Sequence, residues 1–243
     1  MPAYNEEEHI AHAIETLEER LRQTPHSYEI IVVDDGSTDG TRREALRVAK
    51  NPRVRVLGYA RNMGKGHAIK YGVLNSNGNI VTFMDSDMEI RPDGIELYLS
   101  ALKHADFVLA SKRHPNSFVR QPATRKFLSY AFNAIVRLIL GIDASDTQTG
   151  FKAFKGEKIK KLVPLLSVRK YAFDVEVLTV ARLMRLRGVE MPVRIELGAR
   201  FSMKAVVRMF VDLLGIAYRL RVKRWYQKNL NGTNKHYRAI ISW

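Results

Sequence analysis

One stretch decides the fold: Ile30-Ile31-Val32-Val33-Asp34-Asp35-Gly36-Ser37. A continuous run of β-branched apolar residues is typical of a strand that is buried on both faces of a parallel sheet, and the acidic residues and glycine that follow indicate a loop. A second stretch, Ile80-Val81-Thr82-Phe83-Met84, ends in the same way in Asp85-Ser86-Asp87. Two such strands predict a parallel sheet whose loops gather at its carboxyl edge, where sheets of this kind bind ligands.

Helical patterns alternate with these strands, which is the arrangement of an α/β fold. The predicted helices cover residues 6–23, 38–50, 65–76, 93–103, 122–141, 156–163 and 173–187. Further strands are predicted at 106–111 and 189–196. The sequence therefore predicts a Rossmann-like, mostly parallel sheet flanked by helices.

Composition places the chain among globular proteins. Its 243 residues are 46% hydrophobic and 27% charged, which excludes disordered and collagen-like classes. It contains no cysteine, which excludes disulfides, zinc–thiolate sites and cysteine nucleophiles. No secretory signal peptide is predicted from the polar, acidic first residues, and the longest apolar stretch, 132–142, is too short to span a bilayer. We expect a soluble or membrane-surface protein in the cytoplasm.

Charge is divided unevenly along the chain. The formal net charge is +15, but residues 1–100 carry 12 basic and 16 acidic side chains, whereas residues 101–243 carry 28 and 9. An acidic half suits a cation or a neutral group, and a basic half suits a polyanion. Nucleic acid, anionic lipid and a phosphorylated substrate are all compatible with this charge.

Residues 203–228 have the pattern of a basic amphipathic helix. Apolar residues recur at helical spacing from Met203 to Ala217, basic residues occupy the other side, and Trp225 and Tyr226 stand near the end. Such a helix either lies in a membrane interface or docks on the core with a solvated basic face. We assign residues 202–230 to this helix and 231–243 to a tail.

Three loops carry candidate chemistry. Asp85-Ser86-Asp87 places two carboxylates where they reach one Mg²⁺ or Mn²⁺ and leave ligand positions for a diphosphate, although a solvated acidic turn has the same sequence. The loop at 34–40 offers either a carboxylate to a nucleobase edge or only a helix cap. Arg61-Asn62-Met63-Gly64-Lys65-Gly66 resembles a phosphate cradle, although two glycines in a turn would give the same pattern.

Basic residues follow the strand predicted at 106–111. Lys112 and Arg113 come directly after it, and Arg125 follows in the next helix. Because they succeed a strand of the same sheet, we expect them on the same face as Asp87.

In this order and at these intervals, the motifs closely resemble those of family 2 glycosyltransferases with the GT-A fold. The blocks that carry the resemblance are Pro2-Ala3-Tyr4-Asn5-Glu6-Glu7, Val32-Val33-Asp34-Asp35-Gly36-Ser37, the Arg61-to-Gly66 loop and Asp85-Ser86-Asp87. Two later blocks, Asp146-Thr147-Gln148-Thr149-Gly150-Phe151-Lys152 and Ala172-Phe173-Asp174-Val175-Glu176-Val177-Leu178, look like those of dolichyl-phosphate hexose synthases. The resemblance covers most of residues 1–225 and implies a GT-A domain over 1–201. It implies inverting transfer of glucose or mannose, from UDP-glucose or GDP-mannose, to dolichyl or polyprenyl phosphate.

The resemblance also implies a nucleotide-sugar site. The residues expected around the nucleotide are Pro2, Tyr4, Glu6, Val33 and Asp35, with Asp35 at the base. The residues expected to support that loop region are Arg61 and Lys65. The donor itself would be held by Asp85, Ser86 and Asp87, and Ser202 and Lys204 would close over its diphosphate. Asp87 would bind the Mg²⁺ or Mn²⁺ directly, with Asp85 and Glu89 as further ligands.

At the acceptor, the resemblance implies that Arg113, with Lys112 and Arg125, holds the lipid phosphate. A phosphate oxygen is already anionic at neutral pH, so the reaction needs no strong general base. This explains the uneven charge. Acidic residues of the first half would bind the metal and the nucleobase, and basic residues of the second half would bind the lipid phosphate and an anionic bilayer. With that context the membrane-surface interpretation of 203–228 is favoured.

The resemblance also raises expectations about location. Relatives place a hydrophobic strand immediately before the Pro-Ala-Tyr-Asn-Glu block, so we expect that the true start lies upstream of Met1. The resemblance to the eukaryotic glucosyl enzymes leaves open an N-terminal membrane anchor in that upstream part. We expect a peripheral protein at the cytoplasmic face of a membrane.

Two other functions stay open. A family 2 transferase that acts on a polysaccharide or another lipid would need a general base beside a sugar hydroxyl, a role that Asp146 could fill. A nucleic-acid-binding protein would explain the net charge of +15, but the basic residues lack interleaved aromatic side chains and a recognition motif, so no nucleic-acid partner is predicted.

Overall fold

The structure, a computed structural model, describes residues 1–90, 92–147, 149–170, 172–196 and 203–236, with the side chains of 93, 203–205 and 231–236 left out. Its strands are β1 (Pro2–Ala3), β2 (Ile30–Asp34), β3 (Val54–Gly58), β4 (Ile80–Phe83), β5 (Phe107–Ser111), β6 (Phe118–Arg120), β7 (Lys152–Lys155), β8 (Gly188–Pro192) and β9 (Arg194–Glu196). Its α-helices are α1 (Ile10–Arg22), α2 (Thr41–Val48), α3 (Lys65–Leu74), α4 (Ile95–Ala101), α5 (Ala123–Leu140), α6 (Gly156–Leu162), α7 (Phe173–Leu183), α8 (Met203–Ala217) and α9 (Trp225–His236). The predicted α/β alternation is confirmed.

Within the described ranges the strands form three sheets. β1, β2 and β3 pair in parallel, and a four-stranded sheet has the order β4-β7-β5-β8. Within it β7 runs antiparallel to β4 and β5, whereas β8 is parallel to β5. β6 and β9 form a small parallel pair. The prediction of a mostly parallel sheet is confirmed, but sequence analysis missed β1, β3, β6 and β7 and predicted β8 and β9 as one strand.

Helix ends explain two of the loops that matter for the site. α3 begins at Lys65 because Gly64, with φ +98°, turns the chain in a conformation that favours glycine. α5 ends at Leu140 because Gly141 adopts the left-handed conformation, φ 65°, and donates its N–H to the carbonyl of Arg137.

Two apolar cores lie against the sheets. One packs α5, α7 and α8 on β4, β5 and β7, and its centre is Phe154, whose ring stacks between those of Phe83 and Phe107 at 5.9 and 5.2 Å. The other packs α1 and α4 on β2 and the opposite face of β5, where Ile10, Val32 and Val108 are fully buried. β2 is buried on both faces, as its unbroken apolar run predicts.

A groove of about 700 Å³ lies between the first two sheets, bordered by β2 on one side and β4 on the other. The strand expected upstream of Met1 concerns residues that precede this sequence, and it stays a prediction.

The C-terminal segment is divided where a single helix was predicted. α8 runs into a π-helical turn, Tyr218–Val222, and a new helix, α9, starts after Arg224, which has φ 47°. Leu213, Ile216 and Tyr226 are fully buried, so this segment packs on the main core. Among the described residues, the structure contains no helix with the length and apolarity that a membrane crossing requires. α9 continues beyond the predicted boundary at residue 230 to His236.

Candidate active site

A buried carboxylate organises the loop that opens α3. Asp35 follows β2, is 2% exposed, and accepts hydrogen bonds from the hydroxyl of Tyr59 at 2.7 Å and from the amides of Met63 and Gly64 at 2.8 and 2.9 Å. A Cβ on Gly64 would lie 2.4 Å from the carbonyl oxygen of Arg169, so only glycine fits there. Asp35 therefore supports the loop that carries Lys65. Its contact with a nucleobase stays a prediction.

Lys65 forms a close ion pair with the first carboxylate of the acidic loop. Its Nζ lies 2.6 Å from Oδ1 and 2.8 Å from Oδ2 of Asp85. Burial alone would lower the pKa of Lys65, but the charges of Asp85 and Asp174 raise it overall, so the ammonium stays charged. Gly150 leaves room for this pair, because a Cβ there would lie 2.3 Å from Oδ2 of Asp85.

The other carboxylates at this edge are crowded. Oδ1 of Asp87 accepts the amide of Glu89 at 3.1 Å. Burial, with Asp85 as a further cause, raises the pKa of Asp87, while burial and then Asp87 raise the pKa values of Glu6 and Glu89. Negative charges therefore lie close together, and a bound cation would relieve their repulsion.

These carboxylates fit a divalent cation that takes its remaining ligands from the substrate. Within the described ranges, no group of three or more His, Asp or Glu side chains is arranged to hold a metal ion. Asp85 is paired closely with Lys65, and Glu89 is in a longer contact of 3.7 Å with Arg125, so a cation would take its carboxylate ligands from Asp87 and Glu89. Mg²⁺ and Mn²⁺ are commonly held by one or two carboxylates and completed by substrate phosphates, and this donor set fits that arrangement.

The predicted acceptor cations lie beyond β5, each held by a defined partner. The backbone amide of Lys112 donates to Oδ2 of Asp146 at 3.0 Å, and its Nζ lies 3.4 Å from the same oxygen. The guanidinium of Arg113 donates to the carbonyls of Ser129 and Ser145 and lies 4.3 Å above the ring centre of Tyr130.

Arg125 connects the two groups of charges. It belongs to α5, beyond the acceptor cations, and its NH2 lies 3.7 Å from Oε2 of Glu89. Arg125 therefore brings one cation of the second half to the carboxylates after β4, whereas the approach of Lys112 and Arg113 to Asp87 stays a prediction.

Asp146 is poorly suited to be a general base. It is 2% exposed, and besides Lys112 it accepts the hydroxyl of Thr149 at 2.6 Å. Its carboxylate orients Lys112, which does not favour the alternative in which it deprotonates a sugar hydroxyl.

The remaining predicted residues lie around the same loops. Pro2 pairs with Val33 in the sheet and both are buried, whereas Tyr4 is 43% exposed and Arg61 is also exposed. Ser86 is 5% exposed. Lys204 belongs to α8, but its side chain and the whole of Ser202 lie outside the described residues. The two closing residues therefore stay predictions.

Sequence reasoning missed a buried ion pair between these groups. Lys152 on β7 is fully buried, and its Nζ lies 2.7 Å from Oδ1 of Asp174 and also donates to the carbonyl of Thr149. Burial would raise the pKa of Asp174, but Lys152 and then Lys65 lower it below its usual range. Both residues fall in the two late sequence blocks, but no local pattern pairs them.

Comparisons with known proteins identify the family of this chain. The model of the family described as Glycosyl transferase family 2 matches residues 1–163. The chain belongs to this family. It is 32% identical over 245 residues to a dolichyl-phosphate beta-glucosyltransferase of Trichomonas vaginalis, with 94% of this chain and 73% of that protein covered. The human dolichyl-phosphate beta-glucosyltransferase is 30% identical over 245 residues, with 93% and 76% covered.

Solved structures confirm the fold. Glucosyl-3-phosphoglycerate synthase from Mycobacterium tuberculosis, in complex with Mn²⁺, UDP-glucose and phosphoglyceric acid, aligns with a TM-score of 0.67 at 22% identity and covers 89% of this chain and 76% of its own. The family resemblance and the GT-A fold expected from the sequence are both confirmed. This family 2 protein is therefore a glycosyltransferase.

Proposed function

We propose that this family 2 enzyme transfers glucose from UDP-glucose to dolichyl phosphate and releases UDP. The observation that carries the proposal is the meeting of opposite charges at one edge, where Glu89 and Arg125 lie 3.7 Å apart. A nucleotide sugar needs the carboxylate side, through a cation, and a phosphate acceptor needs the basic side. The names of the relatives support glucose as the sugar and dolichyl phosphate as the acceptor.

At the donor end, Asp87 with Glu89 would hold a divalent cation, and Asp85 would act mainly by holding Lys65. The cation would supply positive charge to the leaving diphosphate. Support for it comes from the raised pKa values of Asp87 and Glu89 and from the fold neighbour that binds Mn²⁺ and UDP-glucose. Lys65 is charged and fixed at the same place, so it would hold a donor phosphate oxygen once the diphosphate competes for it.

At the acceptor end, Lys112 and Arg113 would hold the lipid phosphate close to the sugar. The phosphate oxygen forms a bond to the anomeric carbon while the bond from that carbon to the UDP oxygen breaks, and the electron pair leaves with UDP. No proton has to be removed, because the acceptor oxygen is already ionised. Attack opposite the leaving group converts an α-linked donor to a β-linked product, in agreement with the beta-glucosyltransferase names of the relatives.

A membrane surface is the partner that fits the exposed apolar side chains beside this site. One stripe on α8 and the π-helical turn consists of Val207, Val211, Leu214, Tyr218 and Val222, each 49–69% exposed. A second stripe on α5 consists of Phe127, Tyr130 and Leu138, each 50–81% exposed. The two helices pack together through Phe132 and Phe210, whose ring centres lie 5.4 Å apart.

The chemistry around these stripes favours an anionic bilayer. Arg221, Lys223 and Arg224 are exposed beside the α8 stripe, and basic residues at a lipid surface add binding energy. Tyr130 belongs to the α5 stripe and also carries the guanidinium of Arg113 on its ring. The acceptor phosphate would therefore sit where the stripe begins, with its isoprenoid chain in the lipid. On this proposal the enzyme works peripherally, at the cytoplasmic face of the membrane.

The test offers both donors to the same acceptor. Purified protein with Mg²⁺ or Mn²⁺ and dolichyl phosphate in detergent is incubated with radiolabelled UDP-glucose or GDP-mannose in parallel. We expect label in the lipid phase from UDP-glucose, and its loss in Asp87→Ala. Transfer from GDP-mannose alone would overturn the assigned sugar, and transfer from neither donor would overturn the acceptor.

A further inference from the structure

The fully buried carboxylate of Glu176 lies outside the site described above, in the first turn of α7. It is 0% exposed, and its Oε2 accepts the backbone amides of Ser167 and Val168 at 2.9 and 2.7 Å. Its Oε1 accepts the hydroxyl of Ser167 at 2.8 Å and that of Tyr226. A buried carboxylate is tolerated only when it is bonded in this way, so its partners are held in place with it.

Two side chains of the C-terminal segment, Tyr226 and Arg219, contact the carboxylate of Glu176. Tyr226 belongs to α9, and Arg219 belongs to the π-helical turn, where its NH2 lies 3.5 Å from Oε1 of Glu176. The Nε of Arg219 also donates to the hydroxyl of Tyr226 at 3.1 Å. The buried carboxylate of Glu176 therefore bonds the π-helical turn and α9 to α7, in addition to the apolar packing of this segment on the core.

The other partners tie Glu176 to the loop that carries Lys65. The segment held by Glu176 continues to Arg169, whose carbonyl accepts the amide of Gly66 at 2.8 Å. The contact leaves no spare room, because a Cβ on Gly66 would lie 2.5 Å from the ring of Phe173 and 2.9 Å from the carbonyl of Val168. Lys65 stands between the two glycines that rest on this segment.

We propose that Glu176 is a positioning residue through which the C-terminal segment sets the place of Lys65. Hydrogen bonds join Tyr226 to Glu176 and Glu176 to the backbone of residues 167–168. The chain then continues to Arg169, whose carbonyl accepts the amide of Gly66. Displacing Tyr226 removes one of the bonds that orient the carboxylate, so the segment that supports Gly66 is held less firmly. The role assigned to Lys65 rests on the proposed function, whereas the mechanical link to Gly66 does not.

The variant that tests the link is Tyr226→Phe, which removes one hydroxyl and keeps the ring. Its matched control is Tyr98→Phe, because Tyr98 is also buried, at 3% exposed, and donates its hydroxyl to the carbonyl of Pro192 at 2.7 Å in the other core. Amide hydrogen exchange of the peptide that contains Gly66 is measured in both variants and in the wild type. Steady-state kinetics with UDP-glucose and dolichyl phosphate follow in the same preparations.

We expect Gly66 to exchange about tenfold faster in Tyr226→Phe, with no change in Tyr98→Phe. The KM for UDP-glucose should rise about tenfold while kcat and the KM for dolichyl phosphate change less than about twofold. A Glu176→Gln variant, which keeps the shape and removes the charge, should likewise speed exchange at Gly66 and raise the KM for UDP-glucose.

Unchanged exchange at Gly66 in both Tyr226→Phe and Glu176→Gln would overturn the proposal and leave Glu176 as a core residue. Faster exchange with an unchanged KM for UDP-glucose would overturn the link to Lys65. A wild type that transfers neither sugar would instead refute the proposed function, and the exchange measurement would still decide the mechanical link.

Discussion

The donor end and the acceptor end of this site are held by opposite means. At the acceptor end the cations are already matched, since Lys112 is paired with Asp146 and Arg113 donates to two backbone carbonyls. At the donor end Lys65 neutralises Asp85, but burial and then the neighbouring carboxylates raise the pKa values of Asp87 and Glu89. The acceptor end is therefore preorganised, whereas the donor end holds excess negative charge that a cation would balance.

This difference ranks the side chains by what their loss should do. Removing a preorganised cation weakens a site that its other members still form. Removing the charge of Asp87 takes away the reason for a cation to bind, and with it the charge compensation for the leaving group.

The largest effect is expected for Asp87→Asn, which keeps the size of the side chain and removes its charge. We expect kcat/KM for transfer to dolichyl phosphate to fall roughly a thousandfold. The matched control is Asp143→Asn, since the side chain of Asp143 is 99% exposed and pairs only with Arg137 in the described contacts. Equal activity of the two variants would contradict the assignment of the donor end.

The next effect concerns the buried pair between the two ends. Lys152 and Asp174 are 2.7 Å apart, and Asp174→Ala leaves an uncompensated ammonium in the core, which should lower the free energy of unfolding by about 3 kcal/mol. Urea unfolding of this variant and of Lys152→Met/Asp174→Leu checks this expectation. The double variant should recover most of the loss, because an apolar pair needs no compensation. If the double variant is as unstable as Asp174→Ala, the loss of stability comes from altered packing and not from the unpaired charge.

The same pair predicts a dependence of stability on pH. The pKa of Asp174 is lowered in the folded state, so its ionised form stabilises the fold above the ordinary aspartate pKa of 3.8. This stabilisation is lost as the pH falls below that value. Thermal unfolding measured from about pH 5 down to about pH 2, with the double variant for comparison, should therefore show a steeper loss in the wild type below pH 3.8. Parallel curves would mean that other carboxylates dominate acid unfolding.

Much of this arrangement was predictable because it is local. The unbroken apolar run of β2 and the acidic loop after β4 are each recognisable from about eight consecutive residues. The edge of the sheet and the carboxylates on it could therefore be predicted from the sequence. The position of Arg125 beside Glu89 follows only from the fold, but both were expected at the same edge.

The rest depends on contacts between distant residues. β7 enters the sheet antiparallel, between β4 and β5, and nothing in its four residues specifies that position. Its Lys152 meets Asp174 only after this insertion. The break before α9 was hidden too, because Arg224 adopts φ 47° without the glycine or proline that usually marks such a turn.

A smaller effect is expected for Lys112→Gln at the preorganised end. It removes one of the cations expected on the acceptor phosphate but leaves Arg113 and Arg125, so the KM for dolichyl phosphate should rise about tenfold with the KM for UDP-glucose unchanged. Lys103→Gln, an exposed lysine that follows α4, is the control. A rise in the KM for UDP-glucose instead would assign Lys112 to the donor end and break the comparison.

The smallest effect is expected at the apolar stripes. Leu138 is 81% exposed on α5 and Leu214 is 62% exposed on α8, so replacing either by Gln should weaken binding to anionic vesicles about fivefold, roughly the value of one partly inserted apolar side chain. Leu46→Gln on α2, with 54% exposure, is the matched control. Vesicle sedimentation at low and high salt separates the apolar from the electrostatic contribution, because only the latter is screened.

If the Leu46 variant loses as much binding as the other two, the stripes do not define the membrane face. If only Leu214 matters, α8 alone meets the lipid, and the acceptor phosphate must approach Arg113 from outside the bilayer plane.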